Sequence, residues 1–204
     1  MLPIWGFVAV TVPLVATPGA STAVVLRNSI AGGARAGLWT ALGCNTGNVC
    51  YGVLSAFGFG LALQRWPSVW LLLRMAGVAY LGWLGVMSLR HALHPQASRR
   101  HVARDADASD WRSATSGFLT NVLNPSIAAF YLIVLPQFIP RDVPFTTSAL
   151  TLTAIHVGMA FTWHTVWALA GATLARLLAS GAPRRTLDAV TGVALIWLAL
   201  KVAL

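Results

Sequence analysis

An all-α integral membrane protein with six spanning helices is the fold class this sequence predicts, on three observations. Of its 204 residues 57% are hydrophobic and 9% charged, with a mean hydropathy of +0.71, against roughly 25% charged residues in a soluble domain. Uncharged stretches run over 1–26, 36–64, 66–89, 113–140, 143–175 and 189–200, interrupted only by Arg74. A span needs about 20 mostly apolar residues, so these are six helices, the last short enough that Lys201 is expected to snorkel to the interface. The third observation is the placement of basic residues on alternate loops.

The first span is broken at Thr17-Pro18-Gly19. Proline removes a backbone donor, and in lipid the freed carbonyl needs a partner in protein, water or a bound solute. Ala20, Ser21 and Thr22 follow, small or hydroxylated residues at a helix start whose free amides and dipole suit an anion such as a carboxylate. A plain kink satisfied by neighbouring helices is the competing reading. This stretch lacks a basic n-region and a cleavage site, so it is read as a retained span.

In the second span Gly43 and Gly47 (i, i+4) offer close packing, within one chain or between two copies, so homo-oligomers stay open. Asn45 and Asn48 lie about 150° away at 100° per residue. They serve either a cavity or another helix. Cys44 and Cys50 fit neither a zinc pair nor a redox motif and read as packing residues. Arg74 enters the third span about 10 Å from Pro67 at 1.5 Å per residue, by snorkelling or toward a cavity.

The polar segment 91–112 divides the chain into three-helix halves, 1–90 and 113–204. Three being odd, the second half enters the membrane in the opposite sense, so any repeat is inverted. Broken helices at corresponding places in two halves point to a transporter's central site. The fourth span repeats the break: Asn121 and Asn124 share a face just before Pro125. Pro136 and Pro140 shape its exit from the membrane. In the fifth, His156, Trp163 and Trp167 form one stripe with His164 about 80° off it. His156 is either a proton carrier or, more commonly for such a residue, a structural histidine.

The net charge of +9 marks orientation rather than nucleic-acid binding, which would need a basic patch on a folded polar surface. Loops one, three and five hold Arg27, Arg35, Arg90, Arg99, Arg100, Arg104, Arg112, Arg176, Arg184 and Arg185; the other side holds Arg65, Arg141 and Lys201. The positive-inside bias makes the first side cytoplasmic and puts both termini outside.

Glutamate is absent and the five aspartates, at 105, 107, 110, 142 and 188, fall in loops or at segment ends. A cation-specific intramembrane pocket is disfavoured and a zwitterion fits better. Two rivals stay open. His91, His94 and His101 with Asp105 and Asp107 could serve divalent-metal export, although solvated loop residues are the commoner explanation. Ser21 and His156 could be imagined as a hydrolase pair, but no nucleophile motif or orienting acid accompanies them. No enzyme activity, cofactor or resident metal is expected.

Thr17-Pro18-Gly19, Gly33 to Gly37, Ala41-Leu42-Gly43, then Gly77 with Ala79-Tyr80-Leu81 and Gly85, resemble the lysine exporter and homoserine/threonine resistance family. Gly117-Phe118-Leu119-Thr120-Asn121, Asn124-Pro125 and Leu135-Pro136-Gln137-Phe138 match its second signature in order and spacing. The resemblance spans nearly the whole chain. It implies a six-helix exporter of the bacterial inner membrane that moves amino acids or close derivatives outward in exchange for protons. Where that family usually has proline after the first Pro-Gly this chain has Ala20, and where it often has lysine after Asn-Pro this chain has Ser126. Any carboxylate-binding role of that lysine must fall elsewhere or be absent. The expected site is Thr17, Pro18, Gly19, Asn45, Asn48, Asn121, Asn124 and Pro125, binding a cytoplasmic zwitterion between the halves, with His156 as the candidate proton carrier.

Overall fold

A computed structural model describes residues 2–58, 67–93, 110–177 and 182–203. His94, His101, Asp105 and Asp107 of the imagined metal loop, with the side chain of His91, lie outside the described residues. So do most of the polar linker and Arg65, Arg99, Arg100 and Arg104. The helices are α1 (Ile4–Ala16), α2 (Ala20–Ala56), α3 (Pro67–Leu93), α4 (Asp110–Val122), α5 (Pro125–Ala129), α6 (Phe145–Leu177) and α7 (Ala182–Ala203). From α5 the chain runs on through a π turn, Phe130–Val134, and a 3₁₀ turn, Leu135–Phe138. No strand occurs among the described residues.

α2 is two antiparallel arms. Gly33 has φ +77° and ψ −175°, a conformation that costs an L-residue about 1–3 kcal/mol and that glycine adopts freely. There the chain reverses. The Asn28 side-chain amide donates to Thr40 Oγ1 at 2.9 Å, whereas twelve residues of continuous helix would hold them about 18 Å apart. α1 and the arm 20–32 therefore form the first passage, and the arm 34–56 the second.

Both proline breaks stand where they were expected. Thr17 and Asn124 each precede a proline and are extended, with ψ of 119° and 106°, because the proline ring clashes with a helical predecessor. α4 and the segment from Pro125 to Phe138 bend by 59°. No single helix among the described residues is long and apolar enough to cross a membrane alone, but α1 with α2, and α4 with Pro125–Phe138, are so together.

The arm 34–56 packs along α4 and α6, and α3 along α7. Second thus pairs with second and third with third in chain order. Small residues bring α4 in close. A Cβ added to Gly43 would overlap the Ala114 carbonyl, and one added to Gly117 would overlap the Thr40 carbonyl. Buried apolar groups join α1 to the far end of the second arm through Phe7, Tyr51, Tyr131 and Leu152, and the first arm to α3 and α7 through Val24, Leu81 and Leu195.

Burial departs from a soluble domain's at both the surface and the core. Leu72, Val166, Leu169 and Val193 are exposed, while Asn48, Asn121, His156 and His164 are buried. Apolar groups outside and hydrogen-bonded polar groups inside suit a lipid surround. The basic end is tied together: Arg27 Nε donates to Ser88 Oγ at 2.9 Å, and Arg35 forms a two-pronged bond to Asp110 at 2.9 and 2.7 Å. Arg35 holds the Asp110 carboxyl below the usual carboxylate range, chiefly by these hydrogen bonds.

Candidate functional site

Proline chemistry creates the site. A continuous first helix would pair the Leu14 carbonyl with the amide of residue 18, but Pro18 has none. The helix ends at Thr17, whose amide makes a regular bond to the Pro13 carbonyl at 3.0 Å and whose hydroxyl donates to the same oxygen at 2.8 Å. α2 then starts at Ala20 with no side-chain cap. At the second break Asn124 caps α5 itself, its Oδ1 accepting from the Ser126 amide at 3.0 Å. The Val122 carbonyl, which would have bonded the amide of residue 126, instead accepts from the Tyr51 hydroxyl at 2.5 Å. The second break is closed by Asn124 and by Tyr51 of α2, and the first leaves a helix start uncapped.

The two breaks share one cavity of about 340 Å³, at the low end of the roughly 300–1,000 Å³ of small-molecule sites. Its wall contains Leu14, Thr17, Pro18, Gly19, Ala20, Ser21 and Thr22 from the first break, with Asn121, Asn124 and Ser126 from the second. Asn48, His156, Ala160, His164, Leu198 and Lys201 complete most of it. Six of the eight expected binding residues are thus brought together.

Asn45 and Pro125 are not in the wall. Asn45 stands behind it, its amide nitrogen donating to the Ala41 carbonyl at 2.8 Å and meeting His164 Nδ1 at 3.3 Å. Asn48 donates to Asn45 Oδ1 at 3.2 Å, and Asn121 donates to Asn48 Oδ1 at 3.0 Å. A chain His164–Asn45–Asn48–Asn121 so runs from α6 through α2 to α4. The two readings of the asparagines coexist: they glue helices together, and Asn48 and Asn121 also face the cavity. Pro125 is buried, and a Cβ on Gly77 of α3 would come within 3.6 Å of its ring.

On α6 the cavity face is His156, Ala160 and His164, at i, i+4, i+8. This corrects the expected stripe of His156 with Trp163 and Trp167. Those tryptophans pack edge-on against each other at 6.1 Å, and the tryptophan that lines the cavity is Trp197 of α7. His156 Nδ1 shares a 2.6 Å hydrogen bond with the Tyr131 hydroxyl, and its ring lies 4.7 Å from that of Phe130. Because an amide nitrogen only donates, the Asn45 contact leaves Nδ1 of His164 as the acceptor and its proton on Nε2. The sequence had singled out neither His164 nor Lys201 for the site; the one signal was a polar residue in an apolar stretch.

A larger cavity, about 610 Å³, opens at the basic end and is lined by Arg27, Tyr80, Trp83, Trp111 and Arg112 among others. It contains neither break. Tyr80 lines it while the adjacent Leu81 lines the central cavity, and the Tyr80 hydroxyl donates to the Ser116 carbonyl at 3.3 Å. Among the described residues no cluster of three metal-ligating side chains occurs.

Two helix breaks and a buried amide chain around one cavity are the setting for the sequence comparisons. The pattern of the LysE type translocator family matches residues 12–204. The chain belongs to that family. It is 25% identical over 150 residues to a threonine efflux protein of Escherichia coli, covering 74% of this chain and 72% of that one. It is 26% identical over 162 residues to the uncharacterized membrane protein YrhP of Bacillus subtilis, 77% of each chain. It is 28% identical over 161 residues to the uncharacterized membrane protein YahN of Escherichia coli, covering 79% of this chain and 64% of that one. No solved structure matches the chain. Members of this family are membrane-embedded translocators that export amino acids or related compounds.

Proposed function

We propose that this chain exports neutral amino acids or close derivatives from the cytoplasm by alternating access, and that the central cavity is the substrate site. The meeting of both helix breaks in that one cavity carries the reading. An uncapped helix start at Ala20 offers amide donors and the positive end of a dipole to a carboxylate. Asn48, Asn121, Asn124, Thr17, Ser21 and Ser126 offer neutral polar groups, and among the described residues the lining holds no carboxylate to pair with a cationic side chain. The similar threonine efflux protein makes a small neutral substrate a natural first test.

The two cavities at different depths support rocking of the halves. Tyr80 and Ser116, joined by a hydrogen bond, both line the basic vestibule, and Leu81, next to Tyr80, lines the central cavity. Exchange with protons is the proposed driving force, with His156 as the carrier. The inner membrane of a bacterium, with the basic end cytoplasmic and the termini outside, is the proposed setting. The polar linker 91–112 between two three-helix halves would then lie in the cytoplasm.

The test is efflux of labelled neutral, basic and acidic amino acids from dipeptide-loaded cells, comparing the native chain, Asn121→Ala, Asn124→Ala and an empty vector at equal membrane protein levels. Faster loss of neutral amino acids, reduced by both substitutions, is expected. Unchanged transport in both variants would remove the cavity as the site.

A further inference from the structure

Lys201 is the one charged side chain that lines the central cavity among the described residues. As the last basic residue of an apolar segment it would be expected only to snorkel to the interface. The structure gives it more. Lys201 follows Trp197 by four residues and Leu198 by three, which puts the three on neighbouring parts of one helical face, and all three line the cavity. Its Nζ stands 4.5 Å from the centroid of the Trp197 ring. That contact holds the ammonium against an aromatic face without neutralising its charge.

Among the described residues no carboxylate pairs with it. Among the described residues the lining has no carboxylate, and the chain has no glutamate. The cavity thus carries a fixed positive charge beside neutral amides, hydroxyls and imidazoles. A solute that brings its own anionic group would complete the pair.

We infer that Lys201 binds the substrate carboxylate and sets the specificity of the site. This rests on the exporter reading and adds two things to it, an orientation and a selection rule. The carboxylate lies at the Lys201 end of the cavity, and the rest of the solute extends toward Asn121 and the two histidines. Solutes with a free carboxylate are selected over their amides, and solutes whose net charge is positive are rejected by repulsion. Ser126 stands in the same wall, so a lysine on α7 supplies the charge that the second break lacks.

The experiment measures binding of threonine and leucine, each against its primary amide, to purified protein by titration calorimetry, with counterflow into proteoliposomes for the two acids. For the native chain the acid should bind at least about tenfold tighter than the amide, the worth of a bond to a charged group. Lys201→Gln should weaken acid binding by about tenfold to a hundredfold without weakening the amide, whose ammonium it no longer repels, and Lys201→Arg should stay within a few-fold of native. Equal binding of acid and amide by the native protein overturns the inference without needing a variant. So does a Lys201→Gln chain that keeps the acid preference, and in both cases counterflow leaves the exporter reading standing. A native chain that neither binds nor moves either acid overturns the exporter reading for neutral amino acids, and this inference with it.

Discussion

Replacing Asn121 by alanine should destabilise the bundle by more than the bond it removes. Asn121 is fully buried and donates to Asn48 Oδ1 at 3.0 Å, and Asn48 is 1% exposed. Side-chain bonds between membrane helices average roughly 0.6 kcal/mol and reach about 1.7. The single substitution also leaves Asn48 Oδ1 buried with no donor, an orphan that costs about 1–3 kcal/mol. Asn48→Ala acts in the opposite direction, stranding the Asn121 amide and the Asn45 carbonyl oxygen it served. Removing both partners strands fewer groups than the two single changes do together. The double variant should therefore lose less than the sum of the singles, with a coupling of about 0.6–1.7 kcal/mol. Reversible unfolding in mixed micelles, titrated with a denaturing detergent, measures all four corners of the cycle. Additivity to within about 0.3–0.5 kcal/mol would refute the bond as a link between α2 and α4.

Asn124→Ala should cost about 0.5–2 kcal/mol, the worth of a helix cap, whereas Asn124→Asp keeps the acceptor for the Ser126 amide. If the cavity takes a carboxylate, Asn124→Asp should unfold like the native chain yet transport poorly; equal transport would argue against an anionic group near the second break. Gly117→Val should lower stability by about 1–3 kcal/mol by overpacking, since a Cβ there meets the Thr40 carbonyl, which cannot swing aside; an unchanged unfolding midpoint would show that α4 can move off α2. The Arg35–Asp110 pair predicts a pH effect of fixed sign. The folded carboxyl titrates below its unfolded value of about 3.9, so its contribution is complete above that pH and is lost as pH falls through the lower folded value. Melting of native and Asp110→Asn protein should differ at pH 7 and converge below pH of about 4, and the pair being solvent-exposed keeps the difference small.

Both breaks were legible in the residues because a proline's missing donor and its effect on the preceding residue are local covalent facts. Thr17 and Asn124 are extended for reasons that involve only their neighbours. The asparagines could be singled out because an amide in an apolar stretch needs a partner wherever it faces. The all-helical class and the alternate placement of arginines followed from composition and order alone.

What each side chain faces was not legible. A helical wheel gives angles between residues of one helix but not the rotation of that helix against its neighbours, so His164 was set off the stripe of His156, and Trp163 and Trp167 were placed on it although neither lines the cavity. Asn45 and Asn48, alike in the chain, ended on different sides of the cavity wall, because His164 of α6 holds one and Asn121 of α4 the other. Tyr51 capping Val122 across 71 residues and Lys201 arriving at the breaks from the far end of the chain are likewise long-range outcomes. Local backbone chemistry determined where the helices break, and packing of distant helices decided which charge, amides and imidazoles meet at the breaks.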